Sequence, residues 1–231
     1  HVELICELMV SIYNEDVINK KTALDKVMNA KAIAGKKIKE VQQQCVKTLN
    51  RLNIMFPQLK TTRLCKLSDF YSLAMLIWKF EKRGFILTEK RRNQLAFELL
   101  RNFSNGVDEV SVQQKKARGI QPGQELYREY LLTVIQSTDE IKQRQKREEI
   151  LKSILESLYE KKDKNRIFSR EQRRLIWNSE EDPKCAICGA AVTWEDFTAD
   201  HITPHSKGGK TTIANAAITH RVCNSKKGNR A

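Results

Sequence analysis

Apolar residues recur at three-to-four spacing through most of the first 160 positions, the period of helices that bury one face. Leu4, Ile5, Leu8, Met9 and Ile12 mark the first such face. The pattern resumes from about Thr22 to Leu52 through Val27, Ile38, Val41, Cys45 and Leu49, with a break expected at Gly35 and an end at Pro57. Ser68-Asp69 opens a strongly apolar helix through Leu73, Leu76, Ile77 and Phe80 that stops near Gly84. Another is expected from Thr88 past Leu95, Leu99 and Leu100, interrupted at Ser104-Asn105-Gly106. After Pro122-Gly123, Leu126, Tyr130 and Val134 mark a further helix. Ser137-Thr138-Asp139-Glu140 has the form of a capping box for the next one, which carries Ile141, Ile150, Ile154, Leu155 and Leu158. There is no Gly-rich phosphate loop, Walker-type lysine motif or internal repeat, so these stripes read as a helical core rather than a cofactor site.

The pattern then changes. Lys161-Lys162-Asp163-Lys164-Asn165-Arg166 is highly charged and has no apolar anchor, which predicts a linker. The expected organisation is a helical domain over 1–163 and a second domain over 164–231. The chain begins with His rather than Met, so the helical domain is read as part of a larger region truncated at its N-terminus. Ser169-Arg170-Glu171-Gln172 is another capping box. The short helix it opens carries Arg170, Arg173 and Arg174, either phosphate contacts or a solvated face. It also carries Leu175, Ile176 and Trp177, which can pack against a cysteine-bearing knuckle further along.

The last forty-seven residues are rich in metal-ligand chemistry. Cys185 and Cys188 form a C-x2-C pair, and His220 and Cys223 form an H-x2-C pair. Together they supply a complete tetrahedral Cys3His shell, which leaves no open position and therefore suits one structural Zn2+. Gly189, directly after the first pair, tolerates the positive φ of a tight knuckle. Between the pairs lie Asp200 and His201, whose side chains point to opposite faces in an extended segment. One can then hold a metal while the other faces a water molecule. Pro204 and Gly208-Gly209 end that segment in a loop, and Thr211-Thr212 restarts ordered chain. Asn224 comes directly after the last zinc ligand, so the zinc would fix its position.

The run Asp200-His201-Ile202-x-Pro204-x-Ser206-x-Gly208-Gly209, then Asn215, then Cys223-Asn224-x-x-Lys227-Gly228, resembles the HNH nuclease family, which has the ββα-metal fold. His201 matches the first H, Asn215 the N, and Asn224 the last H, replaced here by Asn. His220 departs from the more usual second C-x-x-C, but histidine is an equally good zinc ligand. The resemblance implies an endonuclease with catalytic residues His201, Asp200, Asn215 and Asn224. Asp200 and Asn224 would hold one catalytic Mg2+ or Mn2+, since oxygen ligands suit these hard cations. His201 would take a proton from the attacking water. Asn215 would hold the loop and orient the imidazole. The helical half, in its general layout, resembles the later part of GmrSD-type restriction and phage-defence proteins, whose N-terminal nucleotide-binding domain would precede His1. The expected fold is thus mainly α: a multi-helix domain, then a small zinc-stapled ββα-metal domain.

Charge bears on the partner. Forty-two Lys and Arg against twenty-eight Asp and Glu give +14, of which +5 falls in residues 164–231. Such a field favours polyanions, here nucleic acid and foremost double-stranded DNA. Lys207, Lys210, Lys226, Lys227 and Arg230 lie near the proposed site as candidate phosphate contacts; His205 faces that site or sits on its loop. Cys6, Cys45 and Cys65 read as buried thiols, and free cysteines beside a zinc knuckle point to a reducing cytoplasm. No apolar run approaches a membrane span. One such centre cuts one strand, so double-strand cleavage calls for a homo-oligomer or two successive events. Two other classes stay open: a non-catalytic zinc module that binds nucleic acid, and an interaction protein dominated by its helical part.

Overall fold

Every residue from Tyr71 to Trp78 is buried, and Phe80 with them. A helix apolar all round must be surrounded by others, and this one is. The computed structural model describes residues 2–29, 35–87, 90–116, 119 and 121–228. It divides into two compact units, one of residues 1–83 and 90–159, the other of residues 84–89 and 160–231. The first contains α1 (Val2–Asn14), α2 (Lys20–Asn29), α3 (Gly35–Met55), α4 (Leu67–Lys82), α5 (Lys90–Lys115), α6 (Glu125–Ile135) and α7 (Ile141–Leu155). The buried helix is α4, which packs against α1, α3 and α7. Among the described residues no helix is long and apolar enough to cross a membrane.

Most helical expectations hold, but Ile5, Ile38, Leu95 and Leu126 are exposed, Leu158 lies beyond α7, and four further corrections follow. The helix α5 runs unbroken through Ser104-Asn105-Gly106. Gly106 is there for close approach, because a Cβ would lie 2.6 Å from the ring of Tyr127 on α6, and buried Ser104 accepts a 2.9 Å hydrogen bond from the backbone N–H of Arg63. The capping box at Ser137–Glu140 does not form: Glu140 is the N-cap, with no side-chain bond. Arg147 explains this. It is fully buried, and its guanidinium donates to the carbonyls of Thr133 at 2.6 Å and Thr138 at 2.8 Å and to Ser72 Oγ at 2.9 Å, so it sets the α6–α7 turn itself. Arg144 is also buried, 2.7 Å from Glu7. The inner face of α7 is therefore two arginines and then Ile150, Leu151 and Leu155, and Ile141 is exposed. Finally, Cys6 and Cys65 are exposed; only Cys45 of that trio is a buried thiol. Helix α3 is described from Gly35; residues 30–34, at the expected break, and Thr88 lie outside the described residues.

The second unit contains β1 (Phe85–Ile86), β2 (Glu160–Lys161), α8 (Arg170–Asn178), β3 (Phe197–His201), β4 (Ala216–His220) and α9 (Arg221–Lys227). Strands β1 and β2 pair antiparallel, a pairing the sequence did not announce. Strands β3 and β4 pair antiparallel with Phe197 opposite His220 and His201 opposite Ala216, and α9 packs on both, completing a ββα module. Phe168, Ile176, Cys185, Val192, Phe197 and Ile218 form its core, edged by Trp177, Ala199, Ala216 and Cys223. Leu175 is exposed, so Ile176 and Trp177 do the packing expected of α8.

The second capping box does form. Ser169 Oγ accepts from Gln172 N at 3.1 Å, and Gln172 Oε1 accepts from Ser169 N at 2.8 Å. Ser169→Ala should lower stability by about 1 kcal/mol, read as a shifted urea midpoint of the second unit's transition at unchanged slope.

Candidate active site

The knuckle is built by short-range bonds. Gly189 adopts φ +76°, its N–H reaches the Cys185 carbonyl at 2.8 Å, and Ala190 O accepts from Cys185 N at 2.9 Å. Ala186 N donates to Ile218 O on β4 at 2.9 Å, which brings the first pair to the second. His220 ends β4 and Cys223 lies in the first turn of α9. The ligand atoms of Cys185, Cys188, His220 and Cys223 all lie within 4.8 Å of one another.

This geometry fits a zinc ion. His220 Nδ1 is 3.4 Å from Cys188 Sγ and 3.7 Å from Cys223 Sγ, close to the ~3.5 Å edge of a tetrahedron with ordinary Zn–S and Zn–N bonds. His220 Nε2 lies 3.0 Å from the Ala191 carbonyl, which can only accept. Nε2 therefore carries the hydrogen and Nδ1 presents its lone pair to the cluster. Burial opposes ionisation of Cys185, but the backbone N–H groups of His220, Cys188 and Ile187 outweigh it and bring that thiol down to about 6. Burial and the neighbouring Cys188 and Cys185 push Cys223 up to about 11. All three sulfurs would ionise together only with a cation among them.

On β3, Asp200 and His201 are adjacent and line the same cleft. His201 is buried, its ring 4.6 Å from that of Phe168 and 5.8 Å from that of His205. Its Nε2 lies 3.1 Å from Thr211 Oγ1. Burial, reinforced by His205, holds its pKa below the ordinary imidazole value against the pull of Asp200 and Asp163, which favours the neutral ring. Asp200 Oδ1 accepts from His201 N at 2.8 Å, and Oδ2 pairs with Lys227 Nζ at 2.7 Å. Asn215 clamps the loop between the strands. Its Oδ1 accepts from Thr203 N at 2.8 Å, and its Nδ2 donates to Thr203 O at 3.1 Å and Lys210 O at 2.9 Å. The imidazole itself is held by Thr211, so the expected direct orientation by Asn215 is replaced by anchoring of the loop.

Asp200, His201, His205, Asn224 and Lys227 line one cleft of about 820 Å³, with Lys162, Arg166, Arg173 and Arg221 among its walls. Of the expected phosphate contacts, Lys227 lines the cleft but is paired to Asp200; Lys207, Lys210 and Lys226 are exposed outside its lining. Arg230 lies outside the described residues. Arg166 and Arg221 were missed, the first because it sits in the apparent linker, the second because it lies inside the H-x2-C pair. Arg173 stands over the Phe197 ring at 5.5 Å and donates to Phe197 O at 3.3 Å.

A ββα module that joins a Cys3His cluster to a histidine and a carboxylate in a basic cleft has the build of a metal-dependent nuclease domain. Residues 185–230, a fifth of the chain, match the family model of the HNH endonucleases. No curated protein and no solved structure matches the chain.

Cys185→Ser should remove bound metal and unfold the second unit, because zinc ligation contributes roughly 10–16 kcal/mol in small finger peptides; metal content and far-ultraviolet dichroism check this. A Cβ at Gly209 would lie 1.7 Å from Thr203 O. Gly209→Ala should destabilise the unit by about 1–3 kcal/mol with metal content unchanged, read by calorimetry beside metal analysis.

Proposed function

We propose that this chain is a divalent-metal-dependent endonuclease that hydrolyses phosphodiester bonds in double-stranded DNA, with one structural Zn2+ and one catalytic Mg2+ or Mn2+. The observation that carries the reading is the placement of neutral, buried His201 beside Asp200 and Asn224 in a cleft walled by Arg166, Arg173 and Arg221.

Asp200 and Asn224 would hold the catalytic cation, which when bound supplies Lewis-acid stabilisation of charge on the scissile phosphate and the leaving oxygen. His201 accepts the proton of the attacking water. The arginines bind and orient the flanking phosphates, where a planar guanidinium can engage two oxygens at once. Asn215 keeps the 202–210 loop closed beneath His201. Each centre cuts one strand, and a second copy or a second event completes a double-strand break. The layout of the helical half supports placing this activity in a cytoplasmic bacterial restriction or phage-defence system.

The Lys227–Asp200 pair favours a second reading. An ammonium already neutralises the carboxylate, as it would in a zinc module that binds nucleic acid without cutting it.

Plasmid cleavage separates the two. With Mg2+ or Mn2+ the protein should nick or linearise DNA, EDTA should stop it, and His201→Ala should lower the rate by roughly 10²–10⁴-fold with zinc and fold retained. DNA binding without cleavage, or full cleavage by His201→Ala, would defeat the nuclease assignment.

A further inference from the structure

The hydroxyl of Thr211 stands between two partners. It donates its hydrogen to the carbonyl oxygen of Asn165, and it lies 3.1 Å from His201 Nε2. A carbonyl can only accept, and a hydroxyl has one hydrogen to give. Toward His201, Thr211 therefore offers a lone pair, and Nε2 must carry the hydrogen. A neutral imidazole protonated at Nε2 has its lone pair at Nδ1. Among the described residues no hydrogen bond engages that Nδ1.

The acceptor side is itself held. Asp163 Oδ1 accepts from Asn165 N at 3.0 Å, and Oδ2 accepts from Thr211 N at 2.8 Å. One carboxylate thus fixes both the residue that supplies the carbonyl and the residue that supplies the hydroxyl. These two N–H donors keep Asp163 below the usual carboxylate range, so it is ionised wherever the imidazole is neutral. The Thr211 carbonyl accepts from Gln172 Nε2 at 2.9 Å, which ties the same residue to α8. The Asp163 carbonyl lies 2.9 Å from His205 Nε2 and holds the second cleft histidine by the same logic. Every polar group of Thr211 is engaged, and the residue is buried. Asp163, Asn165 and Gln172 all lie outside the 185–230 match.

We propose that Thr211 is a positioning residue that locks His201 in its Nε2-protonated form with Nδ1 free to accept a proton, and that the Asp163–Asn165 turn is the anchor of this lock. The stretch that looks like a linker is then a working part of the site. The purpose of the lock rests on His201 as general base; its existence does not.

The test is two-bond 1H–15N correlation spectroscopy of the full chain labelled at histidine, at a pH where the imidazole is neutral, with His201 assigned by His201→Ala. The native protein should show the Nε2-protonated pattern. Thr211→Val keeps the shape but removes the acceptor, and should bring in the Nδ1-protonated pattern and lower cleavage by about 10–100-fold. Thr211→Ser should keep the native pattern and a rate well above that of the valine variant, and Asp163→Ala should shift toward valine behaviour. A native Nδ1-protonated His201 overturns the proposal, as does a folded Thr211→Val protein with native pattern and rate. Should Thr211→Val fail to bind zinc, the native spectrum and the Asp163→Ala spectrum decide. The tautomer is read without cleavage, so a chain that shows the expected pattern yet never cuts DNA counts against the nuclease and for the lock.

Discussion

The second unit depends on the convergence of Cys185, Cys188, His220 and Cys223. Its apolar interior is six buried side chains with a rim of four more, which is thin for an independently stable module. Two of the core and rim residues, Cys185 and Cys223, belong to that cluster. The cluster therefore replaces the middle of the core rather than decorating it. It also sets direction. Because His220 closes β4 and Cys223 sits one turn into α9, the ligand geometry fixes the angle at which the helix leaves the sheet, and Asn224 and Lys227 travel with it. On the neighbouring strand, the five-residue register with β4 places Asp200 and His201 at the other side of the same cleft. A metal ion held at one end of the hairpin would thus set the geometry of the proposed site at the other.

The parts of this arrangement that were legible in the sequence are those encoded over short spans. C-x2-C and H-x2-C spacing states a ligand set almost by itself, and Gly189 states a turn. The groups that complete the site come from far along the chain. Asp163 and Asn165 reach Thr211 across more than forty positions, and no local pattern marks a charged hexapeptide as half of a hydrogen-bonded cradle. Its first residue already differs from a free linker, since Glu160 and Lys161 are paired with Ile86 and Phe85. Arg221 was hidden for another reason: its neighbours are ligands, and the spacing argument passes over whatever lies between them.

In the helical unit the hydrophobic period located the helices well and their ends less well. The misreadings share a cause. Periodicity counts apolar residues, and α7 buries two arginines on its inner face. The apolar stripe therefore starts late, and the preceding Ser137–Glu140 reads as free to cap. Buried Arg147 instead pins this turn by donating to the Thr138 carbonyl, and Ser137 adopts φ +45°. Gly106 misled in the opposite sense. A glycine inside a helical pattern suggests a break, but here it leaves the space that Tyr127 fills, and the helix gains a close neighbour.

Lys227 shows how a count of charges and a reading of geometry diverge. By sequence it is one more cation beside a polyanion site. In the fold its ammonium lies 2.7 Å from Asp200 Oδ2 and 3.3 Å from the His201 carbonyl, with both side chains of the pair mostly shielded. In the absence of another cation it satisfies a carboxylate that would otherwise sit poorly solvated beside the core, a costly arrangement. A divalent ion held by Asp200 would compete with this ammonium and add to the positive charge that Arg166, Arg173 and Arg221 already bring to the cleft. Crowded positive charge is unfavourable until phosphate arrives. By linkage, whatever favours metal once phosphate is bound favours phosphate once metal is bound, to the same degree. The paired lysine therefore gives the proposed nuclease a physical reason to assemble its metal and its substrate together rather than one after the other.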